Sequence, residues 1–65
     1  MAVRFEVWQW LPALLRWDII YSSWTPGVAE AFMLDVKEQN RLAGIESTLE
    51  IREAVFEQAE GDHHF

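Results

Sequence analysis

No cysteine occurs among the 65 residues, which excludes a disulfide framework and the commonest ligand of a structural zinc site. Small domains without either device usually gain stability by association. Cationic residues are scarce as well. Five Lys and Arg stand against 11 Asp and Glu, and the net charge of -6 opposes the attraction that DNA, RNA and anionic lipid surfaces require. Direct nucleic-acid binding is therefore not expected. The glycines Gly27, Gly44 and Gly61 stand alone, so no glycine-rich phosphate loop is present. Both histidines lie in the run Asp62-His63-His64-Phe65, with no second ligand cluster upstream to complete a metal site. Ser22, Ser23, Thr25, Ser47 and Thr48 have no ordered histidine near them in sequence. The expectation is a chain that is not an enzyme and uses no catalytic residue, cofactor or metal.

Long apolar runs are absent too. The segment from Leu11 to Trp24 is 14 residues and carries Arg16 and Asp18, well short of the roughly 20 apolar residues a bilayer requires. It ends without a small-residue cleavage pattern, so neither a signal peptide nor a transmembrane segment is read. The cytoplasm or an assembled particle is the expected location, and membrane contact is disfavoured because a basic polar face is missing.

What the chain does contain is apolar and aromatic. A hydrophobic content of 51% with 14% aromatic residues is too rich for a disordered chain. The composition shifts at Thr25: Trp8, Trp10, Trp17, Trp24 and the only tyrosine precede it, whereas 9 of the 11 acidic residues follow it. One small domain over residues 1–65 is expected, with a Trp-rich docking half at 1–24, an acidic helical half at 25–61 and a flexible tail at 62–65.

Val3, Phe5 and Val7 alternate with Arg4 and Glu6, the period of a half-buried strand, and the segment reads as a short N-terminal strand or an extended arm. From Trp10 the period changes. Trp10, Leu14, Trp17, Tyr21 and Trp24 fall on one face of a helix, with Leu11, Leu15 and Ile19 as a second apolar strip and Pro12 in the first turn. Thr25 and Pro26 suit the N-cap and first position of another helix, and Gly61 suits its end. Residues 26–60 read as one helix or as two. Gly44 is a stop signal and Ser47 with Glu50 makes a capping box, but Leu42, Ile45, Leu49, Phe56 and Ala59 keep heptad-like spacing across the break and favour continuity. The expected fold is thus mainly α: a helical hairpin with a short first helix and a long second one. The element order resembles that of ribbon-helix-helix regulators, but those read DNA through a basic ribbon, and Arg4 alone does not make one.

Two apolar faces on a short first helix need two partners. Val28, Phe32 and Val36 of the second helix can cover one, and another chain is expected on the other. The distal stripe of a long second helix has no intrachain partner either, and Arg52 lies in it with no carboxylate one turn away. Arg52 then either snorkels over the stripe or forms an ion pair with another chain. The expected protein-interface residues are Trp10, Leu14, Trp17, Tyr21, Trp24, Leu49, Arg52 and Phe56. Glu46, Glu50, Glu53, Glu57 and Glu60 form an acidic ridge on the same helix, read chiefly as a solvated face.

These readings lead to a non-catalytic structural or assembly subunit that docks through a Trp-rich helix into a larger complex, such as a small component of a viral particle. Its partners would be proteins or further copies of itself. The alternatives are an acidic inhibitor or antitoxin-like protein that blocks a basic target, and a peripheral membrane protein.

Overall fold

The computed structural model describes residues 2–56. They form strand β1 (Ala2–Leu11), strand β2 (Arg16–Ser23), helix α1 (Pro26–Leu42) and strand β3 (Leu49–Phe56). The strands make one antiparallel sheet of order β2-β1-β3, with α1 packed across one of its faces. Because β2 and β3 each run antiparallel to β1, they are parallel to each other, and α1 carries the chain from one edge strand over to the other. The mainly helical hairpin expected from the spacing is therefore incorrect, and so is the helical description of the protein.

The N-terminal alternation is real, and it runs on through Trp8 and Trp10 to Leu11. The first helix does not form. Its place is taken by a hairpin in which Leu11 and Arg16 close the four-residue loop Pro12-Ala13-Leu14-Leu15. Leu14 N–H donates to Leu11 O at 3.1 Å and Leu15 N–H to Pro12 O at 3.3 Å. Pro12, with its fixed φ, suits the second position of such a turn as well as it suits a first helical turn. Leu15 completes the reversal in the left-handed region, with φ 51.

β2 contains a bulge. Val7 pairs with Tyr21 but Trp8 pairs with Ile19, so Ile20 is an extra residue on the edge strand. The insertion switches the parity of the strand. Trp17 and Ile19 share the face of their partners Trp10 and Trp8, whereas Ile20 and Tyr21 both turn toward the helix.

α1 starts where Thr25 and Pro26 indicated. Thr25 is the extended N-cap residue, its carbonyl accepts from Val28 N–H and Ala29 N–H, and Pro26 stands in the first turn. It ends at Leu42. Gly44 has φ 73, Gly44 N–H donates to Arg41 O at 3.1 Å, and Ile45 N–H donates to Asn40 O at 2.8 Å. This is the Schellman pattern, and it settles the helix end at the glycine rather than through it. Ser47 lies in the connection to β3 and caps no second helix. The expected helix end at Gly61 and the tail 62–65 lie outside the described residues.

Ala29, Phe32, Met33 and Val36 recur at helical spacing and meet Phe5, Val7, Ile20, Tyr21, Leu49 and Ile51 from the sheet. Val7 and Ala29 are completely buried, Leu49 nearly so, and Tyr21 stacks on Phe32 with ring centroids 4.3 Å apart. Among the described residues no helix is long and apolar enough to cross a membrane.

Candidate functional site

The helix covers one face of the sheet; the other face has no second layer among the described residues. Strand pairing determines what stands on it. On β1 the even residues Arg4, Glu6, Trp8 and Trp10 lie opposite the face bearing Phe5 and Val7. Register brings Glu50, Arg52, Ala54 and Phe56 of β3 and Trp17, Ile19 and Ser22 of β2 to the same side. Trp24, just past β2, reaches Phe56 edge to face with centroids 6.0 Å apart. All four tryptophans are therefore gathered on the uncovered face.

The side chains form a continuous row along it. Trp10 and Trp17, a cross-strand pair, have centroids 5.6 Å apart and planes inclined by 60°. The Arg52 guanidinium lies over both Trp17, at 4.9 Å, and Trp8, at 4.5 Å. Trp8 Nε1 donates to Glu6 Oε1 at 3.0 Å, and Arg4 Nη2 donates to Glu6 Oε2 at 2.9 Å. Arg4 in turn lies 4.8 Å over the ring of Phe56, against which Trp24 packs.

Glu6 is the pivot of this row, buried to 8% exposure on a face that is otherwise half open. Hydrogen bonding from Arg4 holds its carboxyl below the usual carboxylate value. The Trp8 N–H and the positive charges of Arg4 and Arg52 act in the same direction, against the opposing effect of burial. Arg52 is directly opposite Glu6 in register and also donates through Nε to Glu50 Oε2. The charges thus alternate as Arg4, Glu6, Arg52 and Glu50, a neutral set within an acidic protein.

The eight residues expected at an interface divide. Trp10, Trp17, Trp24, Arg52 and Phe56 come together on the open face. Tyr21 and Leu49 lie under the helix and belong to the internal core. Leu14 sits in the hairpin loop, 58% exposed, rather than on a strand of the open face. Arg52 has a carboxylate partner two residues away on its own strand, an arrangement that a helical reading cannot show. Arg4, Glu6, Trp8 and Ile19 were not expected there. The alternation already set Arg4 and Glu6 on the side opposite Val7, and following it past Val7 would have added Trp8.

The acidic ridge is not a single surface. Glu46 is in the loop before β3, Glu50 is on the open face, and Glu53 pairs with Phe5 on the opposite face. Glu57 and Glu60 lie outside the described residues. The regular acidic face expected on a long helix is therefore not formed by Glu46, Glu50 and Glu53. Among the described residues no group of three or more His, Cys, Asp or Glu could hold a metal ion. Comparison with protein-family models, with curated proteins and with solved structures gives no match.

Proposed function

We propose that the protein is a non-catalytic assembly subunit whose open sheet face, rather than a Trp-rich helix, docks against another protein surface. The observation that supports this is the concentration of Trp8, Trp10, Trp17, Trp24 and Phe56 on the one sheet face that α1 leaves uncovered. Trp24 is 61% exposed, and Ile19 and Phe56 are each 41% exposed. Tryptophan and arginine are the side chains most enriched at energetic centres of interfaces, because they combine large apolar area with a polar contact. Here the arginines are already placed, so little side-chain entropy remains to be lost on docking. The inclined Trp10 and Trp17 rings and the guanidinium lying over Trp8 and Trp17 make a ridged surface, unlike the flat free ring faces on which bases stack.

The test is the native size of the chain in a lysate of its source. The parent chain is expected in an assembly several times its own mass. Ile19→Lys together with Trp24→Lys should release it, while Leu34→Lys, on the outer side of α1, should not. A parent chain that always migrates free of other protein would overturn the reading.

A further inference from the structure

We propose that the outer edge of β3 pairs with the same edge of a second copy of this chain. Two three-stranded sheets then join into one sheet of six about a two-fold axis perpendicular to the sheet at Ile51. This pairing goes beyond the docking reading and does not depend on it. The backbone supplies the first reason. Among the described residues β3 has a neighbour, β1, on one side only. Trp10 N–H donates to Thr48 O at 3.0 Å, and the register between β1 and β3 runs on from there without a shift. In an antiparallel ladder both peptide groups of a residue point to one side and the side alternates along the strand, so Glu50, Arg52 and Ala54 direct theirs to β1. Leu49, Ile51, Glu53 and Val55 direct theirs outward, where a further strand can pair with them. β2 offers no such edge. Its bulge at Ile20 breaks the alternation, a common protection of edge strands, whereas β3 has no bulge, proline or lysine.

Side chains select the register. An axis perpendicular to the sheet runs the two strands antiparallel and keeps the open face of one copy beside the open face of the other. Centred on Ile51, the pairing exchanges about six backbone hydrogen bonds, between the two Ile51 residues and between Leu49 and Glu53 of opposite copies. On the open face, Glu50 of each copy then stands across from Arg52 of the other. On the helix face, Ile51, only partly buried within one chain, meets its own equivalent. Moving the centre to Glu50, Arg52 or Glu53 would instead set like charges opposite each other at the axis, which is destabilising. Arg52 leans inward over Trp8, so its charge acts on the facing carboxylate across a gap rather than through a bond, and its part is to choose between registers. The helices do not obstruct. α1 packs on residues of all three strands, and the central strands of the two copies would lie ~14 Å apart, beyond the ~8–10 Å at which helices pack. The product is a continuous sheet ~24 Å wide with both aromatic rows on one side and both helices on the other.

Sedimentation equilibrium of the purified chain tests this, with far-UV circular dichroism as the check on folding. The parent is expected to be a dimer at low micromolar concentration. Glu53→Pro removes an outward N–H and no bond to β1, so it should keep the fold and weaken self-association by roughly 100-fold. Glu50→Arg should weaken it by roughly tenfold, since it sets two arginine pairs across the axis. Ile19→Lys, on the open face, should leave it unchanged. Because the chain has no cysteine, a nitroxide attached at Val55→Cys, where the native side chain is 56% exposed, reads the register. The two labelled positions should be ~27 Å apart for a centre at Ile51, against ~20 Å for a centre at Arg52. A monomeric parent at ~100 μM overturns the proposal, as does a dimer that survives Glu53→Pro. A separation near ~20 Å overturns the placement of the axis. Dissociation by Ile19→Lys but not by Glu53→Pro would put the second copy on the open face instead. If the parent is monomeric and Glu53→Pro releases it from its assembly in the lysate, the edge belongs to a strand of another protein. The docking reading is judged separately, by whether that assembly depends on Ile19 and Trp24.

Discussion

Glu6 offers the sharpest test of the open face, because one carboxylate holds both an arginine and an indole in place. Glu6→Ala removes the acceptor of the Arg4 bond at 2.9 Å and of the Trp8 Nε1 bond at 3.0 Å. Hydrogen bonds to charged groups contribute about 1.5–3 kcal/mol each, but water reaches the half-open Arg4 and recovers part of the loss, so roughly 2 kcal/mol is expected for the pair. In a domain of this size that corresponds to a fall of roughly 8–16 °C in Tm. Glu6→Gln keeps an oxygen for Trp8 while removing the charge that holds Arg4, and should cost about half as much. Thermal unfolding at fixed chain concentration near neutral pH measures both, and fixed concentration is essential if the chain associates. Equal Tm for parent and Glu6→Ala would refute the pivot, as would a larger loss for Gln than for Ala.

The same residue sets a pH dependence. Its folded carboxyl binds a proton less readily than the ordinary carboxyl with pKa 4.5, so on acidification the unfolded chain takes up the proton first. The stabilisation from Glu6 is fully present above that ordinary value and is lost as pH falls through it toward the lower folded value. The Tm of the parent should therefore fall more steeply between about pH 6 and about pH 3 than that of Glu6→Gln. Parallel curves would show that the carboxylate contributes nothing through its charge.

Two further expectations concern the backbone. Leu15 is 78% exposed and sits at φ 51, so Leu15→Asn, which tolerates that region, should raise stability by about 0.5–1 kcal/mol in urea unfolding; a loss would mean that the leucine side chain makes a contact that matters. Gly27 and Gly44 both have open space where a Cβ would sit, but only Gly44 has positive φ, 73. Gly27→Ala should therefore stabilise α1 by about 0.5–1 kcal/mol and Gly44→Ala should destabilise by about 1 kcal/mol, and a common sign for the two would refute the assignment of the Schellman turn.

Much of the local chemistry was legible in the sequence, and the larger error has an identifiable cause. The alternation of Val3, Phe5 and Val7, the Thr25-Pro26 helix start and the stop signal at Gly44 all correspond to observed elements. The stretch 10–24 did not. A four-residue hairpin loop flanked by Leu11 and Arg16 sets Trp10 opposite Trp17, seven residues apart, and seven is also two helical turns. Pro12 is acceptable in both structures. The bulge at Ile20 then erases the period of two that would have marked β2, since Trp17 and Tyr21 end on opposite faces. In β3 the alternation Leu49, Glu50, Ile51, Arg52 lasts only four residues before Glu53 and Ala54 blur it, leaving the heptad-like count to prevail. A physical signal against the long helix was nevertheless present. It would have left Leu49 and Phe56 without intrachain partners, whereas the sheet buries Leu49 and stations Phe56 beside Trp24 and Arg4.

That partition also ties the stability of this chain to whether its open face is covered. Among the described hydrophobic residues only Val7, Ala29 and Leu49 are buried to less than a tenth of their surface, so the covered face supplies a small core. The open face holds most of the aromatic area, and its arginines and carboxylates are fixed by one another rather than by a second layer. Any surface that covers it adds apolar burial to the folded state alone, and so raises apparent stability with the logarithm of partner concentration. A second copy paired along β3 adds to the folded state in the same way, so the parent Tm should rise by several degrees across a hundredfold increase in chain concentration, while that of Glu53→Pro stays flat. A concentration-independent Tm in the parent would show that the β3 edge stays unpaired.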